Sequence, residues 1–139
     1  MGNIAETKSD MISNMTPELQ PGGFVFATFP DGKEPGNLIQ QAISVFKEKE
    51  GVSLILPVDV AIGVDISIED DMRCITLNVY SSLQGVGLTA AVSTALGEVG
   101  IPCNMVAAYH HDHVFVPSSM AEAALDTLLK LQELAKKRI

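Results

Sequence analysis

The sequence predicts an α+β, ferredoxin-like fold, in which antiparallel sheets carry their helices on one face. Residues 73–137 alternate as strand, glycine-rich turn, amphipathic helix, strand, tight turn, strand and helix. This βαββα run is most of a ferredoxin-like βαββαβ unit. Residues 23–57 hold a shorter βαβ pattern. A chain of 139 residues with 47% hydrophobic residues can bury a core, in one domain or in two half-sized lobes.

The first half begins with residues 1–15, which we expect to be weakly ordered. GFVFATFP at 23–30 is typical of a strand. Asn37 has the position of an N-cap, and apolar residues at helical spacing from Leu38 to Phe46 predict a helix that stops at Gly51.

A short apolar strand follows at 52–57, and residues 58–71 are ambiguous and end in an acidic loop. The expected lobes are residues 16–66 and 73–139.

In the second half we predict a strand at 74–80, a helix at 86–98, strands at 102–109 and 113–116, and a last helix after Pro117. This run lacks the final strand of a βαββαβ unit, which would leave an unpaired sheet edge. We expect a strand of the first half, 23–29 or 52–57, to fill that edge, with a partner subunit as the other candidate.

Composition limits the partners. Nine basic and seventeen acidic residues give a net charge of −8, which disfavours nucleic acid as a partner. No stretch approaches the roughly 20 apolar residues that span a membrane. The N-terminus has no secretory signal pattern. Cys74 and Cys103 lie in predicted strands and could be bridged only if those strands were neighbours, so free thiols of a reducing compartment are the favoured interpretation. We therefore expect a cytoplasmic protein.

The segment Ser82-Leu83-Gln84-Gly85-Val86-Gly87 is the leading candidate site. Two glycines one residue apart let the backbone turn sharply and approach a ligand. The helix that follows presents free N–H groups and a partial positive charge, which suit a carboxylate or phosphate. The side chains of Ser82 and Gln84 can add hydrogen bonds. The alternative is a plain strand-to-helix turn that Ser82 caps.

Asn104 is predicted to lie beside the Gly85 turn, at the start of the strand after the second helix. Its amide offers a donor and an acceptor together, which suits the two charged groups of an amino acid. The alternative is an asparagine that satisfies nearby backbone groups.

A second cluster is His110-His111-Asp112-His113, where three imidazoles and a carboxylate could bind a transition metal. No further ligand cluster accompanies it, so an exposed hairpin turn is the favoured interpretation. A pH-sensitive contact is the intermediate one.

The sequence gives no catalytic pattern. The acidic runs at Glu48/Glu50 and 69–71 are typical of solvated loops, and no nucleophile, zinc or phosphate-loop motif appears. We expect neither catalysis nor a cofactor.

The whole chain resembles a group of bacterial proteins of the ACT domain family, a small-molecule-sensing regulatory module. Four segments carry the resemblance: MTPELQPGGFVFATFP, EGVSLILP, SSLQGVGLTAAVSTAL and YHHDHVFVP. Gly85 matches the family's glycine turn, and Gly100-Ile101 matches the family's entry into its second strand. The acidic residue and the proline that usually precede the glycine are not present here.

The resemblance implies two ACT-like lobes that sense an amino acid or a similar small metabolite and assemble as a homodimer. In the family the ligand lies at the glycine turn and against the second strand. By position, the residues are Ser82, Gln84, Gly85, Val86, Gly87 and Asn104. Two other functions stay open: a protein-interaction module without ligand, and a metal-binding protein at the histidine cluster.

Overall fold

The computed structural model describes residues 8–79 and 86–137. Its strands are β1 (Pro17–Leu19), β2 (Phe24–Pro30), β3 (Ser44–Glu48), β4 (Gly51–Pro57), β5 (Met72–Leu77), β6 (Asn104–Ala107) and β7 (Asp112–Pro117). Its helices are α1 (Lys8–Ser13), α2 (Leu38–Gln41), α3 (Val58–Gly63), α4 (Leu88–Glu98) and α5 (Ala121–Lys137), the last preceded by a 3₁₀ turn at Ser118–Met120.

The chain forms two compact units. The central unit is Gly22–Met72, and the terminal unit joins the segment up to Pro21 to the chain from Arg73 onward. Each unit has the order strand, helix, strand, strand, helix: β2-α2-β3-β4-α3 in the central unit and β5-α4-β6-β7-α5 in the terminal unit. The expected lobes, 16–66 and 73–139, differ from these units because residues 16–21 belong with the C-terminal part.

In the terminal unit the strand order is β1-β5-β7-β6. The closing strand is β1, which pairs antiparallel with β5 from Pro17↔Leu77 to Leu19↔Ile75. It comes from the first half of the chain, as expected. Of the two expected strands, the one at 23–29 does pair with β5, but only at Phe24↔Met72, and β1 supplies the longer ladder. A three-residue strand has no periodicity by which the sequence could reveal it.

The core of the terminal unit lies between this sheet and α1, α4 and α5. Ile75 and Leu77 of β5 are fully buried on the helix side, where they meet Val92 and Leu96 of α4. Leu128 of α5 is also fully buried. α1 contributes Met11, Ile12 and Met15, so a segment expected to be weakly ordered supplies part of the core.

In the central unit the strand order is β3-β4-β2. Val25, Leu54 and Leu56 form its core with Leu38 of α2 and Ala61 of α3. The ambiguous stretch after 57 begins with α3, and Glu69 and Asp70 are exposed, as expected of a solvated acidic loop.

The predicted helix from Asn37 to Gly51 is wrong, because the helix ends at Gln41 and β3 follows it. Asn37 makes no side-chain cap hydrogen bond. Val45 and Phe46 belong to types that favour strands, and β3 pairs with β4 along its whole length, from Ser44↔Ile55 to Glu48↔Gly51. The ladder to β4 therefore overrides the helical spacing.

Candidate functional site

The predicted site lies only partly within the described residues. Ser82, Gln84 and Gly85 fall outside them, whereas Val86, Gly87 and Asn104 are described. The described part of the predicted site is the start of α4 and the strand that bears Asn104.

Gly87 is the N-cap of α4 and has a left-handed backbone, with φ +108° and ψ −16°. A residue with a side chain would be strained at this φ. A Cβ at Gly87 would also lie 3.0–3.1 Å from the aliphatic carbons of Lys8. Because glycine has no side chain, it offers no cap to the first N–H groups of α4, which lack carbonyl partners within the helix.

The residues beside Gly87 have opposite roles. Leu88 is buried and anchors the first turn of α4 in the core, whereas the side chain of Val86 is 78% exposed. The start of α4 is therefore fixed on one side and open to solvent on the other.

A groove of about 320 Å³ lies between α1, α4 and α5 in the terminal unit. We call it the helix groove; its lining residues are Lys8, Ile12, Ala90, Ala91, Thr94, Ala95, Glu98, Leu131, Leu134 and Ala135. It begins beside the first turn of α4 and carries a charged residue near each end of that helix, Lys8 and Glu98.

No sequence pattern predicted the helix groove. The small residues of α4 are the one sequence signal for this groove. Ala90 and Thr94 share one face of the helix, and Ala91 and Ala95 share the neighbouring face. Small side chains leave room between packed helices. The other walls come from α1 and α5, which are distant in sequence.

Asn104 is half-buried at the start of β6, where its Nδ2 donates a hydrogen bond to the carbonyl oxygen of Phe115, 3.2 Å away. The β6–β7 register places Asn104 opposite Phe115 and Val106 opposite His113. His113 in turn contacts Thr76, near the end of β5 that leads toward α4.

Val106, rather than Asn104, is thus level with that end of β5. Asn104 lies two residues before Val106 in β6, which places it about 7 Å from that level of the sheet. The convergence of Asn104 with the glycine turn stays a prediction, since Gly85 is outside the described residues.

The histidine cluster spans the end of the turn between β6 and β7 and the first two residues of β7. The backbone hydrogen bond from Ala108 N to His111 O closes this turn at 3.0 Å. His110 is exposed, whereas His113 points to the sheet, with its Nδ1 3.0 Å from Thr76 Oγ1. Gln20 Nε2 donates to the same hydroxyl oxygen at 3.0 Å, so the hydroxyl hydrogen of Thr76 can be donated to a neutral His113.

Burial, helped by the nearby charge of His111, lowers the pKa of His113, against the opposing effect of Asp112. Burial raises the pKa of the Asp112 carboxyl. Within residues 8–79 and 86–137, no three His, Cys, Asp or Glu side chains are grouped so that they could hold a metal ion. The arrangement of the described residues thus favours a hairpin, in which His113 is hydrogen-bonded to Thr76, over a metal site.

Cys74 and Cys103 are unpaired, and burial raises the pKa of both thiols. In the part of the chain that the structure describes, no helix is both long and apolar enough to cross a bilayer.

Family models of the ACT domain match residues 8–73 and 67–130, one for each βαββα run. The chain is a two-repeat member of the ACT domain family. ACT domains are regulatory modules that typically bind small molecules such as amino acids and often oligomerise. The predicted ferredoxin-like fold with two ACT repeats is confirmed.

Several solved structures of other proteins are similar to this ACT-domain protein. It is 41% identical to a protein of unknown function from Vibrio cholerae, described as a possible transport protein, with a TM-score of 0.76 over 87% of this chain and 93% of that one. A protein from Agrobacterium tumefaciens is 18% identical, with a TM-score of 0.64 over 84% of this chain and 87% of that one.

The regulatory subunit of aspartate kinase from Thermus thermophilus is 12% identical, with a TM-score of 0.63 over 85% of this chain and 97% of that one. At such identities the likeness concerns the fold alone. No functionally curated protein matches the chain.

Proposed function

We propose that this ACT-domain protein is a non-catalytic regulatory module that senses an amino acid or a similar small carboxylate and acts as a homodimer in the cytoplasm. The fold that it shares with regulatory subunits of aspartate kinase supports a regulatory role. Its two unpaired cysteines fit a reducing compartment.

The observation that carries the proposal is the start of α4. Gly87 leaves the first N–H groups of the helix without a side-chain cap, and these groups bear the positive end of the helix dipole. The aliphatic carbons of Lys8 lie against Gly87, so the ammonium group at the end of this flexible side chain can reach the same place. A carboxylate here would accept hydrogen bonds from the N–H groups and pair with the Lys8 ammonium.

The helix groove supplies room for the rest of the ligand. Its volume of about 320 Å³ is at the lower end of the range for small-molecule sites, which run from roughly 300 to 1,000 Å³. Ile12, Ala91 and Leu131 give it an apolar wall, so it suits a ligand with a small apolar body. Ser82, Gln84 and Gly85 complete the proposed site from the preceding turn. Asn104 lies on the sheet face away from the helix groove, because its neighbour Met105 packs into the helix-side core, so Asn104 is proposed as a ligand contact outside the groove.

The test is a thermal-shift screen of the twenty amino acids. A ligand at 100 times its Kd stabilises the folded protein by about 2.7 kcal/mol, which raises the Tm by several degrees. Lys8→Met keeps an unbranched stem on Gly87 and removes the charge, so the shift should fall at least several-fold. Lys33→Met removes an exposed charge from the central unit and should leave the shift unchanged.

If none of the twenty amino acids raises the Tm, the amino-acid sensor is rejected. If one does and Lys8→Met binds it as well as the wild type, the ligand lies elsewhere than at the start of α4.

A further inference from the structure

The end of α3 carries apolar side chains that the fold leaves in solvent. Ile62 is 56% exposed, Val64 is 46% exposed and Ile68 is 37% exposed. Exposed apolar side chains that cluster in this way often mark an interaction surface. We call these three residues and the four exposed acidic residues of the same segment the α3 patch; its acidic members are Asp59, Asp65, Glu69 and Asp70.

Hydrogen bonds hold this end of α3 in a fixed shape. Asp65 has a left-handed backbone, with φ +59°, and its N–H donates to the carbonyl oxygen of Ile62 at 3.3 Å. The N–H of Ile66 donates to the carbonyl oxygen of Ala61 at 2.9 Å, and the side chain of Ile66 packs against the core of the central unit. The chain thus closes on the end of the helix, and the exposure of Ile62 and Val64 is a feature of this folded turn.

The charge around these apolar residues has one sign. Residues 50–72 contain six acidic residues and no lysine, arginine or histidine. The central unit alone holds nine acidic and three basic residues, which give −6 of the total net charge of −8. The α3 patch therefore attracts a positively charged surface and repels an acidic one.

We propose that the α3 patch binds a segment of a partner protein in which lysine or arginine side chains stand beside apolar ones. The apolar side chains of that segment cover Ile62, Val64 and Ile68, and its cations lie against the carboxylates that surround them. The apolar contacts supply most of the affinity, because exposed ion pairs contribute little. The charges select the partner and speed its association.

Charge disfavours the other occupants of this surface. A second copy of this chain would bring its own acidic residues against those of the first, and opposed like charges are costly at an interface. Nucleic acid and the anionic surface of a membrane are repelled for the same reason. This surface goes beyond the ligand proposal and is independent of it, since it belongs to the central unit and the ligand site to the terminal unit.

The probe that tests the proposal is a phage-displayed library of short random peptides, selected on the full chain. Selection should enrich peptides that combine a positive net charge with apolar residues. A synthetic copy of the most enriched peptide then gives a Kd by fluorescence anisotropy. The double variant Ile62→Ser, Asp65→Asn should raise this Kd at least tenfold, and asparagine tolerates the left-handed backbone of Asp65.

A matched control makes the same kinds of change in the terminal unit. Val99 is 57% exposed and Asp126 is also exposed, so Val99→Ser, Asp126→Asn removes one apolar side chain and one carboxylate from the surface. It should leave the Kd within twofold of the wild type. For the wild type, a rise in NaCl from about 50 to about 500 mM should weaken binding several-fold, because salt screens opposite charges.

A selection that enriches no peptide, or only peptides without positive net charge, overturns the proposal. So does a Kd that Ile62→Ser, Asp65→Asn leaves unchanged. If this variant instead dissociates a wild-type homodimer in sedimentation, or releases the chain from anionic lipid vesicles, the occupant is a second copy or a membrane and the proposal is also overturned. None of these results bears on the amino-acid screen.

Discussion

At the scale of single residues, glycines do two different things in this chain. Gly87 has a left-handed backbone at the start of α4 and gives the helix N–H groups no side-chain cap of its own. Gly51 begins β4 with φ +148°, and the backbone of Phe29 and Pro30 occupies the space where its Cβ would lie. The first glycine is needed for conformation and access, and the second mainly for close approach between strands.

Gly51→Ala should therefore lower the free energy of unfolding by more than about 2 kcal/mol, because a Cβ would press on the neighbouring strand and the φ value would be strained. Urea denaturation measures this change. Gly97→Ala is the control, since Gly97 lies in α4 with nothing within 4 Å of an added Cβ. It should be neutral or stabilise by up to about 1 kcal/mol. Equal stabilities of the two variants would contradict this account of Gly51.

His113 should make stability depend on pH. Its pKa is lowered in the folded protein by burial, so the unfolded chain takes up a proton first as the pH falls through about 6.5. The free energy of unfolding should thus decrease between pH 7.5 and 5.5. His113→Gln should flatten this decrease, whereas His110→Gln, at an exposed position, should not. A wild-type stability that is constant over this range would rule out the burial of a neutral His113.

At the scale of elements, the short segments α1 and β1 help to hold the terminal unit together. Met11 and Met15 lie in the core of the terminal unit. Gln132 of α5 donates a buried hydrogen bond of 2.9 Å to the carbonyl oxygen of Ser13. The backbone N–H of Gln20 donates a hydrogen bond of 2.8 Å to the carbonyl oxygen of Cys74, and the guanidinium of Arg73 donates one of 2.9 Å to the carbonyl oxygen of Gln20. These contacts join the start of the chain to β5 and α5.

Deletion of residues 1–20 should consequently unfold the terminal unit or make it aggregate, since it opens the edge of β5 and removes core side chains. Deletion of residues 2–7 alone leaves α1 and β1 in place and should keep the native amide spectrum by NMR. A chain without residues 1–20 that stays monodisperse, with the native chemical shifts of α4 and α5, would show that β1 does not hold the unit together.

β3 is the element at which the helical interpretation failed. Leu38, Ile39, Ala42, Ile43 and Phe46 do recur at helical spacing. Only Leu38 and Ile39 are helical, because the chain after Gln41 gains a ladder to β4 that an isolated segment cannot form. Helical spacing in an apolar segment of this length does not by itself exclude a strand.

At the scale of the whole molecule, two βαββα runs and two ACT matches describe one duplicated plan. The family could be recognised from the sequence because the helices of the second run are bounded by glycine and proline: Gly87 before α4, Gly100 after it, and Pro117 before the last helix. In the first run α2 has only four residues and the pattern of β3 reads as its continuation, which hid the same plan. The acidic net charge of −8 bears on partners and not on the fold.

The local pattern of residues determined the ferredoxin-like class, the helices α4 and α5 and the glycine that begins α4, because each depends on neighbours within one or two turns of the chain. Only the tertiary structure decided that β1 closes the terminal sheet, that β3 is an edge strand and that Lys8 lies on Gly87. It also decided where the helix groove opens. Each of these depends on residues far apart in sequence, and no local periodicity encodes a contact between them.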